Sequence, residues 1–168
     1  MGEVCKRMKR GETLNATGQK GKYPIIAAGI EPAGYCDKYN REPMCVSVSG
    51  SGANAGYVSF HRSRIFATDC FTIGRSNDYE VEFIYYVLKL RQKEIFKLQT
   101  GGAQPHVYPR DISNLSILYT KDIKEQRAIA DSLTAMDDEI AMLQLERTKY
   151  ANIRSGMMDD LLSGTKRL

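Results

Sequence analysis

Residues 122–163 read DIKEQRAIADSLTAMDDEIAMLQLERTKYANIRSGMMDDLLS, and this stretch decides the architecture. Ile129, Leu133, Met136, Ile140, Leu143, Arg147, Tyr150, Arg154, Met157 and Leu161 follow one another at alternating steps of four and three. Eight of these ten positions are apolar or aromatic, which is a sustained heptad pattern. No proline interrupts it, Gly156 is the sole glycine before Gly164, and Asp122 with Glu125 has the form of a capping pair. The spacing predicts one helix over about 123–163, roughly 60 Å long at 1.5 Å per residue. A globular part of some 120 residues spans only about 30–40 Å by size scaling. The helix is therefore expected to project and to cover its stripe with a second helix. Arg147 and Arg154 on the seam cost stability there but can fix register or orientation. A helix folded back on its own domain is the other arrangement the pattern allows.

Upstream of Asp122 the period changes. Residues 1–22 are polar and loop-like, with Gly11, Gly18 and Gly21 as punctuation. Strand signals start at residues 23–27, and turns follow at Gly29, Pro32 and Gly34. Met44 to Val48 alternates like a half-buried strand, and residues 57–60 resume after a glycine-rich loop, so 44–60 reads as two strands around that loop. Residues 65–73 give a further β segment. Phe83, Ile84, Val87, Leu88, Arg91 and Ile95 fall at helical steps, so 80–98 reads as one helix stopped by Gly101 and Gly102. Residues 104–109 are extended because each residue before a proline is pushed out of the helical region. Residues 111–115 form a turn or short helix, and 116–119 a last short strand. The expected fold is α+β: a globular domain of short mixed strands and helices over 1–120, then a long helix over 121–168.

Composition excludes several classes of protein. No apolar run approaches the roughly 18 residues of a membrane helix. The basic N-terminus is not followed by a secretory apolar core. Cys5, Cys36, Cys45 and Cys70 lie far apart without a CxxC pair and read as reduced, buried thiols of a cytoplasmic chain. The net charge of +4 is unevenly spread. Residues 1–120 carry 16 Lys/Arg against 11 Asp/Glu, and residues 121–168 carry 8 against 9.

No catalytic set can be assembled, so the chain is not expected to be an enzyme. His61 and His106 are the only histidines and no His/Cys cluster exists, so no metal site is expected. The Gly50–Gly56 stretch lacks the P-loop lysine and has the wrong spacing for a dinucleotide loop. An Asn-Pro-Pro-Tyr aminomethyltransferase motif is absent, and Asp122-x-Lys124 is a cap, not half a nuclease motif. What remains suits DNA. Ser49, Ser51, Asn54 and Tyr57 sit on or beside a glycine-rich loop whose amides would approach phosphates. His61, Arg62 and Arg64 follow it, and Lys20, Lys22, Lys38 and Arg41 occupy the preceding loops. Gln104, His106 and Arg110 fill an extended segment suited to base edges, since glutamine pairs with adenine and arginine with guanine.

Three segments of the front part, Ser49-Gly-Ser-Gly-Ala-Asn-Ala-Gly-Tyr-Val58, Ile65 to Phe71 and Gly101-Gly-Ala-Gln-Pro-His-Val107, resemble a target recognition domain. Glu125-Gln-Arg-Ala-Ile-Ala130, Asp138 to Ile140, Arg154 to Met158 and Leu161 to Arg167 resemble the conserved helical region that follows it. Together they resemble the DNA specificity subunit of type I restriction-modification systems. The family's proline pair before the helix is replaced here by Leu118-Tyr-Thr-Lys-Asp122. The resemblance implies a noncatalytic reader of double-stranded DNA, here a half-length subunit or a C-terminal half. It further implies that Ile129, Leu133, Met136, Ile140, Leu143, Tyr150, Met157 and Leu161 pair antiparallel with a second copy. Methyltransferase subunits, and the restriction motor subunit in a restricting complex, are the implied partners. S-adenosylmethionine, ATP and Mg are implied for those partners and no cofactor for this chain. The alternative is a protein-interaction half subunit that modulates the methyltransferase without reading DNA.

Overall fold

The computed structural model describes residues 1–14 and 20–167. The chain divides into two compact units, Met1–Ala130 and Asp131–Leu168.

The first unit is built around Val46 and Val48, both fully buried. They lie on β4 (Cys45–Ser49), which every neighbour covers. The structure orders one four-stranded antiparallel sheet as β1 (Lys9–Arg10), β7 (Cys70–Ile73), β4 and β5 (Val58–His61). A three-stranded sheet, β3 (Gly34–Cys36), β2 (Tyr23–Ile26) and β6 (Phe66–Ala67), pairs β2 antiparallel with β3 and parallel with β6. Valines 46, 48 and 58 and Ile73 pack with Val81, Ile84 and Leu88 of α2 (Val81–Leu90) and Ile95 of α3 (Gln92–Lys97). Each such side chain contributes about 1.5–3 kcal/mol of transfer free energy. Cys45 and Cys70 pack with Ile65 and Ala67, while Phe66 joins Ile25 and Cys36. α1 (Gly2–Cys5) and α4 (Pro109–Ser113) complete the unit.

Several sequence expectations change here. β4 is buried along its whole length, not half-buried, because its serine face is also covered. The polar atoms of that face are satisfied: the Ser47 hydroxyl pairs with His61, and the Ser49 hydroxyl donates to the Ala28 carbonyl. The helix expected over 80–98 breaks at Arg91, whose backbone (φ −92°, ψ 11°) leaves the helical well. The break turns Gln92 toward the β4–β5 loop, where it accepts from Val58 N–H at 2.9 Å and donates to Gly56 O at 2.8 Å. Residues 116–119 keep their alternation but are not a strand, for no sheet edge meets them. Tyr119 instead packs on Phe83 and donates to the Asp78 carbonyl. Residues expected to be loop contain α1, β1 and β3, which are too short to carry a period.

Helix α5 (Ile123–Leu162) matches the predicted span. The Asp122 carboxylate accepts from Lys124 N–H at 2.8 Å, whereas Glu125 accepts from the Thr120 hydroxyl instead of closing a reciprocal box. Gln126 is fully buried, accepts from Glu80 N–H at 2.7 Å and donates to Thr120 O at 2.7 Å, so the first turns of α5 belong to the first unit. The second unit is the remainder of α5, whose apolar stripe is exposed throughout. No helix among the described residues is long and apolar enough to cross a membrane.

Candidate nucleic-acid interface

The glycine-rich loop between β4 and β5 turns its backbone inward. Four of its amides are spent within the fold: Gly50 N–H donates to Asp69 O, Gly52 N–H to Pro105 O, Ala55 N–H to Gly52 O and Gly56 N–H to Ser49 O. Gln99 donates to Ala55 O at 2.8 Å from the far side. Gly56 has φ +87°, and a Cβ there would lie 2.8 Å from the Ile95 Cγ2. The glycines therefore permit tight docking of the loop on α3, and these four amides do not form a phosphate cradle. Ser49 and Ser51, expected at the surface, are buried: Ser49 holds Ala28, and the Ser51 hydroxyl donates to the Asp69 carboxylate. Asn54 and Tyr57 are half-buried, and the Lys89 ammonium sits 4.6 Å from the Tyr57 ring centroid.

His61 is likewise turned inward. Its Nε2 lies 2.8 Å from the Ser47 hydroxyl, and burial lowers its pKa to about 4, so it is neutral at pH 7. Arg41, expected in a basic loop, is structural: its guanidinium reaches the Thr72 hydroxyl at 2.6 Å and Arg10 O at 2.6 Å. Burial pushes the Cys45 and Cys70 thiols up to about 11 and about 12, so neither is a reactive thiolate.

Lys20, Lys22, Arg62, Arg64, Gln104 and Arg110 are exposed. They do not form one continuous patch; the structure collects most of them into two clusters. In the first, Lys22 lies over the Tyr23 ring, Tyr23 meets Tyr39 edge-on at 5.1 Å, and Arg64 lies 4.4 Å over Tyr39. Glu42 holds Arg64 at 3.1 Å, and that hydrogen bond and charge raise the guanidinium pKa further. Cations stacked on rings lose less side-chain freedom on meeting a phosphate.

In the second cluster, His106 stacks on Tyr108, and Arg110 lies 5.2 Å over the same ring. The His106 backbone bridges to both Ser51 and Thr100, which fixes the intervening Gly101–Pro105 loop and presents Gln104. Gly101 at φ +97° makes the tight turn. Gln104, His106 and Tyr108 line a cavity of about 390 Å³ with Arg10, Asp69 and Phe71. Amide, guanidinium and carboxylate groups in one concave site offer both donors and acceptors to a base edge. Sequence reading missed Arg10, Tyr39, Asp69 and Tyr108, because nothing local marks residues brought together across two sheets. Among the described residues no group of three or more His, Cys, Asp or Glu side chains can hold a metal.

Comparison with known proteins gives the arrangement a context. The family model described as "Type I restriction modification DNA specificity domain" matches residues 1–153. A protein of Mycoplasma genitalium named as a type I specificity subunit is 29% identical over 147 residues, which is 81% of this chain and 37% of that protein. Its counterpart in Mycoplasma pneumoniae is 28% identical over 141 residues, with 81% and 37% covered. The crystal structure of a type I restriction-modification S subunit from M. genitalium superposes with TM-score 0.75 at 27% identity, covering 93% of this chain and 43% of that one. The HsdS subunit of Thermoanaerobacter tengcongensis shares the fold at TM-score 0.60 and 15% identity, with 94% and 43% covered. The chain thus spans less than half the length of the relatives it matches.

Proposed function

The chain belongs to the type I restriction modification DNA specificity domain family, and from that premise we propose that it reads one half of a bipartite DNA sequence on behalf of a methyltransferase or endonuclease complex. The observation that carries this reading is the family match, which runs through the globular unit and most of α5. Lys20, Lys22, Arg62 and Arg64 would position the protein on phosphates, which supply affinity without sequence information. Gln104, Arg10 and Arg110 would contact base edges beside the second cluster, with His106 and Tyr108 holding the segment in place.

The exposed stripe of α5 would pair with the same stripe of a second copy, and a two-fold dimer reads inverted half-sites. The methyltransferase subunits would bind S-adenosylmethionine and transfer the methyl group; a restriction motor subunit, where present, would use ATP and Mg. This chain would contribute no catalytic group, and the cytoplasm is its proposed location.

Methyl transfer onto a mixed-sequence DNA library by the complex of this chain with its methyltransferase subunits tests the reading. Gln104→Ala should relax the modified motif at one position. Lys22→Ala with Arg64→Ala should leave the motif intact, weaken binding uniformly and reduce the logarithmic salt slope by about 2. Should all three substitutions leave methylation untouched, the chain does not read DNA and acts as a protein-interaction subunit.

A further inference from the structure

Asp69 precedes β7 at the end of the four-stranded sheet, and its backbone is clamped on both sides. Thr68 N–H donates to Ile26 O at 2.9 Å, and Asp69 O accepts from Gly50 N–H at 3.1 Å. The carboxylate lies against Gly50, where a Cβ would come within 3.3 Å of its Oδ1. Oδ2 accepts from the hydroxyl of buried Ser51, whereas Oδ1 accepts no hydrogen bond among the described residues. Arg10 of β1 lines the same cavity of about 390 Å³, and its guanidinium has neither an ion pair nor a hydrogen bond among the described residues. The side-chain amide of Gln104, on the same cavity, is equally unspent. All three side chains are exposed. A carboxylate and a guanidinium therefore face one cavity without neutralising each other.

An exposed carboxylate opposes a surface meant only for phosphates, because like charges repel. A fixed acceptor with one oxygen unspent suits an amine on a base edge instead. Building on the reading that this chain binds DNA, we propose that Asp69 is a specificity-determining residue. Its Oδ1 accepts from the N4 amine of a cytosine, while Arg10 donates to O6 and N7 of the guanine paired with it.

The order of groups on the base pair selects this assignment. In the major groove a G·C pair lays N7, O6 and the N4 amine in a row, two acceptors and then a donor. A bidentate guanidinium beside a carboxylate carries the complementary set. An A·T pair sets its N6 amine between the acceptors N7 and O4, so a guanidinium fork cannot take both. A free phosphate would meet the charge of Asp69, and a lone cation would meet that of Arg10. Gln104 is left for an adenine in a neighbouring pair.

Methyl transfer onto a mixed-sequence DNA library, by the complex of this chain with its methyltransferase subunits, tests the assignment. In Asp69→Asn the amide oxygen still accepts from Ser51, but the second oxygen is lost. The expected result is a G·C pair in the wild-type motif whose preference falls about tenfold in Asp69→Asn and in Arg10→Ala alike, with the other positions kept. A motif unchanged by Asp69→Asn, while Gln104→Ala relaxes one position, overturns the role of Asp69 and leaves DNA reading standing. Loss of preference at an A·T pair, or at different pairs in the two variants, overturns the shared G·C contact. A motif that none of the three substitutions alters overturns both proposals. A second measurement leaves the protein intact. Duplexes carrying 2-pyrimidinone in place of that cytosine lack the N4 amine, and the wild-type complex should modify them about tenfold less efficiently than the cytosine duplex. The Asp69→Asn complex should distinguish the two duplexes far less. Equal modification of both duplexes by the wild type, or an equal loss in the variant, overturns the contact.

Discussion

His61 and Gln104 carry opposite lessons about polar residues in a DNA reader. His61 resembles a phosphate ligand in sequence, yet it fills a covered face of the sheet against Ser47. Its folded pKa of about 4 lies below the ordinary 6.5 because burial disfavours the cation. The unfolded chain then binds the proton more readily below pH 6.5, so the contribution is fully present above pH 6.5. It falls as the pH drops toward about 4. Partial exposure discounts the full shift, and the expected loss from pH 7 to pH 5 is about 1–2 kcal/mol. Urea unfolding at the two pH values should show that loss in the wild type and a smaller one in His61→Gln. An equal loss in both would place the acid sensitivity elsewhere. Gln104, by contrast, owes its presentation to the Thr100–His106 bridge and the turn at Gly101.

At the scale of elements, the loop and the long helix differ in how openly the sequence states their purpose. The glycine run at 50–56 suggests a phosphate loop, but several of its amides are already paired and its glycines admit Ile95 and Gln92 of α3. Gly56→Ala must strain a left-handed residue and displace Ile95, at an expected cost of about 2–4 kcal/mol in chemical denaturation. Unchanged stability would contradict the docking account. The α5 stripe was fully legible, because a heptad is a local signal over many turns. Leu133→Asp with Ile140→Asp puts four charges into the proposed dimer seam and should give the monomer mass in light scattering at micromolar concentration, with the wild type at twice that mass. A persistent dimer would place the interface away from the stripe. Strands β2, β4 and β5 were legible from alternation and turn residues. β1 and β3 were not, since two or three residues carry no period and their pairing is decided by distant partners.

Across the whole molecule, the charge division follows the two units only approximately. The positive excess of residues 1–120 includes Arg41, whose charge is spent inside the fold, while exposed cations gather at the Tyr39 and Tyr108 clusters. The composition of the candidate site was therefore partly legible: Lys22, Arg64, Gln104 and Arg110 are presented, whereas Ser49, Ser51 and His61 support the sheet. Which of them share a cluster depends on tyrosines and on Arg10, contributed by segments far apart in the chain. The central claim is that two copies of this chain read one inverted bipartite sequence. Single-molecule sequencing of methylated adenines in the source cell, with and without the gene for this chain, tests it most directly. The predicted result is a motif with inverted half-sites and a fixed spacer, lost on deletion. A methylation pattern unchanged by deletion, or a deletion-sensitive motif with two unrelated half-sites, would contradict it.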